Sequence, residues 1–222
     1  MFFSKKKKKR QKMEQSLKEF KGTVKKLIDW IYRSDELLQR MTDSREYHYN
    51  SVALVCRTLQ DLTALLLIYK ANYFFHPYYE FPINQMIKSI SESTDDLEST
   101  GRKLAVIAKN FSITKSQLEK IDPDEFDISD KIHEVKERLL ELNLIGQQCS
   151  FNIHNTYLEM RAMLCVVRAI VVHDYIAINS GIDMIEWYDY NERLCRNEIS
   201  AEIRFDKTEI KKPVFKEETE NE

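Results

Sequence analysis

Glycine and proline are scarce, at four each in 222 residues. A sheet protein of this length needs many tight turns, and tight turns draw on those two residues. The scarcity disfavours strand-rich and α/β folds. It also disfavours enzymes built on a phosphate-cradling loop, since no two glycines stand close together. Cysteine is limited to Cys56, Cys149, Cys165 and Cys195, with no Cys-x-x-Cys pair. His48, His76, His133, His154 and His173 do not fall at ligand spacing with them, so the expectation is buried, reduced thiols with no metal and no cofactor. No Glu-x-x-His pair and no serine or cysteine nucleophile motif occurs. Excess charge of one sign is missing too: the net charge of −2 argues against a surface devoted throughout to nucleic acid.

Long hydrophobic runs are also lacking. The stretch 62–69 is short of the roughly 20 apolar residues that a bilayer requires. The stretch 162–178 carries Arg168, His173 and Asp174, which are costly in lipid. The basic start is followed by an amphipathic pattern rather than the apolar centre of a signal peptide. The expectation is a soluble intracellular protein in the cytoplasm, with peripheral membrane association, or a nuclear site in a eukaryotic cell, left open.

What the sequence does have is heptad periodicity. Leu17, Val24, Ile31 and Leu38 form one series, with Phe20, Leu27 and Met41 as its partner set. Val52, Leu59, Leu66 and Tyr73 form a second, interleaved with Val55, Leu62 and Tyr69. A third runs through Ile83, Ile90, Leu97, Leu104, Phe111 and Leu118, beside a small set of Ile87, Thr94, Gly101 and Ala108. The fourth is Ile128, Val135, Leu142, Cys149, Thr156, Met163 and Ile170, interleaved with Ile132, Leu139, Gly146, Ile153, Met160 and Val167. Breaks fall at Thr42–Ser44, at an extended aromatic connection from His76-Pro77 to Phe81-Pro82, at Asp122-Pro123 and at Asn179–Gly181.

The fold class this predicts is all-α: an elongated antiparallel four-helix bundle of coiled-coil-like helices, with a short fifth helix from Ile182 to about Arg204. Residues 1–12 read as a disordered basic segment, 13–204 as one helical domain, and 205–222 as a disordered acidic tail. Gly101 and Gly146 sit on seam positions, where a missing side chain lets a neighbouring backbone approach.

Three features are candidates for function. Lys5, Lys6, Lys7, Lys8, Lys9, Arg10 and Lys12 place seven cations within eight residues, suited to phosphates of anionic lipid or of nucleic acid, beside the apolar Phe2 and Phe3. A solvated end is the alternative. The connection holding Tyr73, Phe74, Phe75, Tyr78 and Tyr79 is rich in aromatics but has little Lys or Arg to accompany base stacking, so it suits a protein-partner surface or a hydrophobic plug.

The third feature is the segment from Arg168 to Tyr175, which reads Arg, four residues, His173, one residue, Tyr. It resembles the signature of HepT-like toxins in the HEPN superfamily. Residues 182–187 (Ile-Asp-Met-Ile-Glu-Trp) and 140–146 (Leu-Glu-Leu-Asn-Leu-Ile-Gly) are similar to two further stretches of that family, so the likeness spans about 93–196. The resemblance implies a metal-independent ribonuclease acting at a dimer interface, with RNA as partner. Arg168 would hold phosphate charge, His173 would act as general acid or base, and Tyr175 would support them. The residue types suit that chemistry, since a guanidinium matches a phosphate fork and an imidazole titrates near neutral pH. Residues five apart on a helix nevertheless point about 140° apart, so the alternative is a bundle helix carrying Arg168 and His173 on separate flanks.

The leading expectation is therefore a non-enzymatic helical bundle that binds a protein partner or forms a homodimer, tethered by its basic start to an anionic surface. A HEPN-like ribonuclease, or a degenerate relative, is the alternative.

Overall fold

The four heptad series become four long helices in a computed structural model that describes residues 2–121, 128–181, 183–186 and 188, with the backbone alone at 2–7 and 128. They are α1 (Phe2–Ser44), α2 (Tyr49–Lys70), α3 (Glu80–Glu119) and α4 (Ile128–Asn179), with a 3₁₀ turn at Pro77–Tyr79 between α2 and α3. Each helix packs on two others: α1 on α2 and α4, and α3 on α2 and α4. The contacts run antiparallel around this ring. Phe20 of α1 stacks on Tyr69 at the end of α2, and Gly101 of α3 faces Val52 at the start of α2. Asp35 of α1 binds Arg161 of α4, with Oδ1 and Nε 2.8 Å apart. The all-α bundle expected from the seams is the observed architecture. Of the expected fifth helix, only 183–186, with a helical turn at 184–186, and Tyr188 lie among the described residues, and the expected acidic tail at 205–222 lies outside them.

Several boundaries differ from the sequence reading. Residues 2–12 were expected to be disordered but form the first turns of α1. Lys, Arg, Gln and Glu are strong helix formers, no glycine or proline interrupts them, and pairs such as Arg10–Glu14 (3.1 Å) offset part of the cationic repulsion. α2 starts after His48, its cap, whose N–H donates to the Ser51 hydroxyl at 3.0 Å. The chain leaves α1 through Arg45 at φ 52°, a left-handed turn made without glycine. The connection around His76–Pro82 is not extended throughout, because Pro77 opens the 3₁₀ turn and Pro82 falls in the first turn of α3, where a missing N–H costs nothing. α3 ends at Glu119, ahead of Asp122-Pro123, which lie outside the described residues. Gly181, at φ 73°, follows the end of α4 as expected.

The helices differ greatly in length. At 1.5 Å per residue the 22-residue α2 spans about 33 Å and the 52-residue α4 about 78 Å. Beyond the level of Gly101 and His154, residues 102–119 of α3 and 128–150 of α4 continue as a two-helix hairpin. Its seam is shallower, with Thr114, Leu142 and Cys149 buried but Phe111 exposed. In α4 the buried stripe shifts register where the hairpin joins the bundle. It follows Leu142, Cys149 and Ile153, then Tyr157, Met160, Leu164, Val167 and Val171. The expected Thr156 and Met163 are replaced by the residues one position on. Two successive four-residue steps at Ile153 turn the inward face from one neighbour, α3, toward the three-helix core.

Tyr49–Lys70 and Ser129–Asn179 are each long and apolar enough, by length and composition alone, to cross a membrane. Run length therefore does not exclude a span around 62–69, contrary to the sequence reading. In α2 the apolar residues build the core through Val52, Val55, Leu59, Leu62, Leu66 and Tyr69. In α4 many lie elsewhere.

Candidate functional site

The buried stripe of α4 does not end at Val171. Continuing the step of seven through Ile153, Met160 and Val167 reaches Asp174, which is only 6% exposed. A carboxylate at a core position needs a donor, and Tyr69, fully buried at the end of α2, provides it through a short hydrogen bond from its hydroxyl. His173, beside it, faces outward: its Nδ1 lies 3.0 Å from the Tyr79 hydroxyl and 3.7 Å from Asp174 Oδ1. His76 packs its ring on Tyr79 at 5.9 Å and accepts the Tyr78 N–H through Nδ1. Asp174, Tyr69, His173, Tyr79 and His76 thus form one polar cluster at the end of the bundle. Burial raises the Asp174 pKa above the ordinary aspartate range, with the Tyr69 bond and the two imidazoles opposing it. Burial and the Asp174 charge push Tyr69 and Tyr79 up, and burial pushes His76 down.

A carboxyl whose folded pKa is raised binds more protons folded than unfolded, so its contribution to stability falls as pH rises from the ordinary aspartate range through the raised value. Asp174→Asn keeps an acceptor for Tyr69 and removes the buried charge. It should exceed wild type in stability at neutral pH by on the order of 1 kcal/mol, with the gap closing in acid. Urea unfolding at several pH values measures that gap, and a constant or inverted difference would contradict the role given to Asp174.

Arg168 is turned away from this cluster. Its guanidinium sits over the Tyr32 ring of α1, 5.8 Å from the centroid, while His173 meets the 3₁₀ turn next to α3. Arg168 also reaches the Cys165 sulfur of its own helix, 3.9 Å away. Arg168 and His173 therefore do not share a site within one chain. Tyr175 is exposed on a third flank, its carbonyl accepting from Asn179.

The aromatic connection splits in two. Phe74 and Phe75 are buried in the core, as in the plug alternative, which removes them from a binding surface, and Tyr73 packs on Tyr188 with the rings tilted and 4.6 Å apart. Tyr79 is half-buried in the polar cluster, and Tyr78 points outward. Lys8, Lys9, Arg10 and Lys12 are exposed on α1. Lys5, Lys6 and Lys7 fall where the backbone alone is described. Of the cysteines, Cys56 and Cys149 are buried, with burial pushing the Cys56 thiol up to about 11, but Cys165 is exposed, against expectation. Cys195 lies outside the described residues. Among the described residues no cluster of three or more His, Cys, Asp or Glu side chains is placed to hold a metal ion.

The sequence reading missed the outer face of α4. Leu144 (65% exposed), Phe151 (59%), Leu158 (46%), Cys165 and Val172 recur every seven residues there. Gln148, Asn155, Ala162, Ala169 and Ile176 (60%) recur between them. This is a second heptad seam on the side opposite the core. Between Leu142 and Val172 the charged residues are Glu159, Arg161 and Arg168, and both arginines are turned onto α1. The outer seam is consequently uncharged for most of its length. A helix apolar on both faces is normally buried on both.

No protein-family model, curated protein or solved structure matches the chain.

Proposed function

We propose that the chain is a non-enzymatic helical-bundle protein that works by association, inside the cell, through the outer face of α4. The observation that supports this most is the uncharged heptad seam from Leu144 to Ile176, which the described residues leave largely uncovered, with Asn155 and Val172 half-buried. The separation of Arg168 from His173 counts against a nuclease centre built within one chain. Incubation of the chain with RNA addresses that alternative: intact RNA is expected, and metal-independent cleavage lost in both Arg168→Ala and His173→Ala would overturn the non-enzymatic reading.

The basic first turns of α1 tether the chain to an anionic surface, with exposed Lys8, Lys9, Arg10 and Lys12 supporting that role. Replacing these four with Gln should weaken binding to phosphatidylserine-containing vesicles at least tenfold. Binding of the unaltered chain should fall steeply with added salt. Retention that ignores both changes would remove the tether.

A further inference from the structure

We infer that the occupant of the outer α4 seam is a second copy of this chain, paired parallel and in register. The inference rests on the association reading above and names its partner. Three observations lead to it.

The first is polarity. The seam holds two amides, Gln148 and Asn155, at positions that alternate with Leu144, Phe151, Leu158 and Cys165. In heptad terms the amides fall at a positions and the others at d positions. Leucine at d favours two strands, and a single asparagine at a fixes register, because it is satisfied only by the matching asparagine of the other copy. Parallel, in-register pairing puts Asn155 against Asn155 and Gln148 against Gln148. An antiparallel pair centred on Ala162 instead sets Asn155 against Ala169 and Gln148 against Ile176, leaving both amides on apolar surface.

The second is shape. Ala162 and Ala169 narrow the middle of the seam, so two helix backbones can approach closely there while Phe151 and Leu158 interdigitate on one side and Val172 and Ile176 on the other.

The third is area. Leu140, Leu144, Phe151, Leu158, Val166 and Ile176 are each about half to two-thirds exposed. Covering them on both copies hides roughly 1,200 Å², the lower edge of what stable interfaces bury.

Cys165, exposed at a d position, supplies the test. In the parallel pair the two Cys165 side chains face each other, so mild oxidation joins them, each thiol losing one hydrogen to the added oxidant. The full chain carrying Cys195→Ser is oxidised with copper phenanthroline and resolved without reductant, while sedimentation gives its mass. A dimer band that disappears in Cys165→Ser, together with a dimeric mass lost in Leu158→Glu and in Ile176→Lys, is the expected result. Circular dichroism verifies that both charged variants stay helical.

A dimer that cross-links through Ala162→Cys but not through Cys165 overturns the parallel register. A monomer at every concentration overturns the second copy as occupant. In that case, binding of the monomer to detergent micelles, abolished by Leu158→Glu, would leave the association reading standing; no binding would end both.

Discussion

Phe20→Ala should lower the stability of the chain by about 3–5 kcal/mol. Phe20 is fully buried, lies nearly parallel to Tyr69 at 5.7 Å between centroids, and sits 6.1 Å from Phe74. It joins α1 to the end of α2 and to the buried half of the aromatic connection. Removing the ring leaves a cavity walled by large, rigid side chains that have little room to collapse inward. The change also loosens the packing around Tyr69, the donor to Asp174, so the pH dependence assigned to Asp174 should weaken in the same variant. Tyr78→Ala, at a side chain 79% exposed in the same connection, should stay within about 0.5 kcal/mol of wild type. Urea midpoints with unchanged slopes measure both; a loss below 1 kcal/mol for Phe20→Ala would contradict the plug at this end of the bundle.

Gly101→Leu should cost about 3 kcal/mol, at the upper end of overpacked substitutions. Gly101 is buried on the α3 seam, and a Cβ there would lie 3.1 Å from Val52 Cγ1 and 3.3 Å from Val52 Cβ. Val52 is β-branched and buried in the first turn of α2, where one χ1 rotamer is strongly preferred, so it does not readily clear the space. The other helical glycines are the controls. A Cβ at Gly22 meets nothing within 4 Å, and one at Gly146 meets Ile107 at an ordinary 3.6 Å. Gly22→Ala and Gly146→Ala should each stabilise the chain by up to about 1 kcal/mol through helix propensity. Gly101→Ala should not, because the contact with Val52 offsets that gain. Thermal unfolding of the three alanine variants separates them, and equal stabilisation at all three would remove the close approach of α3 to α2.

The four helices were legible because heptad spacing reports directly which side of a helix is covered. Of the two seam glycines, Gly101 marks a tight approach, while Gly146 marks only ordinary contact. Three things escaped. Asp174 continues the Ile153, Met160 and Val167 series by another seven residues, but a carboxylate does not register as a core residue until its donor, Tyr69, is seen across the bundle. The register shift at Ile153 depends on where α1 ends and α2 begins relative to α4, a matter of tertiary level rather than of local pattern. The outer seam was hidden by the inner one: with apolar residues on two opposite faces, α4 reads as continuously hydrophobic, and a single periodic count finds the core face alone. Counting a second series from Leu144 would have found it. The aromatic connection failed differently, since composition does not tell which of its rings turn inward. Phe74 and Phe75 are buried while Tyr78 and Phe81 are exposed.

The central claim is that the outer face of α4 pairs with a second copy of the chain. Sedimentation equilibrium of the full chain over a dilution series, beside Leu158→Glu, tests it most directly. The account predicts twice the 26.5 kDa chain mass for wild type at high concentration, dissociating on dilution, and the single-chain mass throughout for Leu158→Glu with its helical signal unchanged. The same mass for both proteins at every concentration would contradict it.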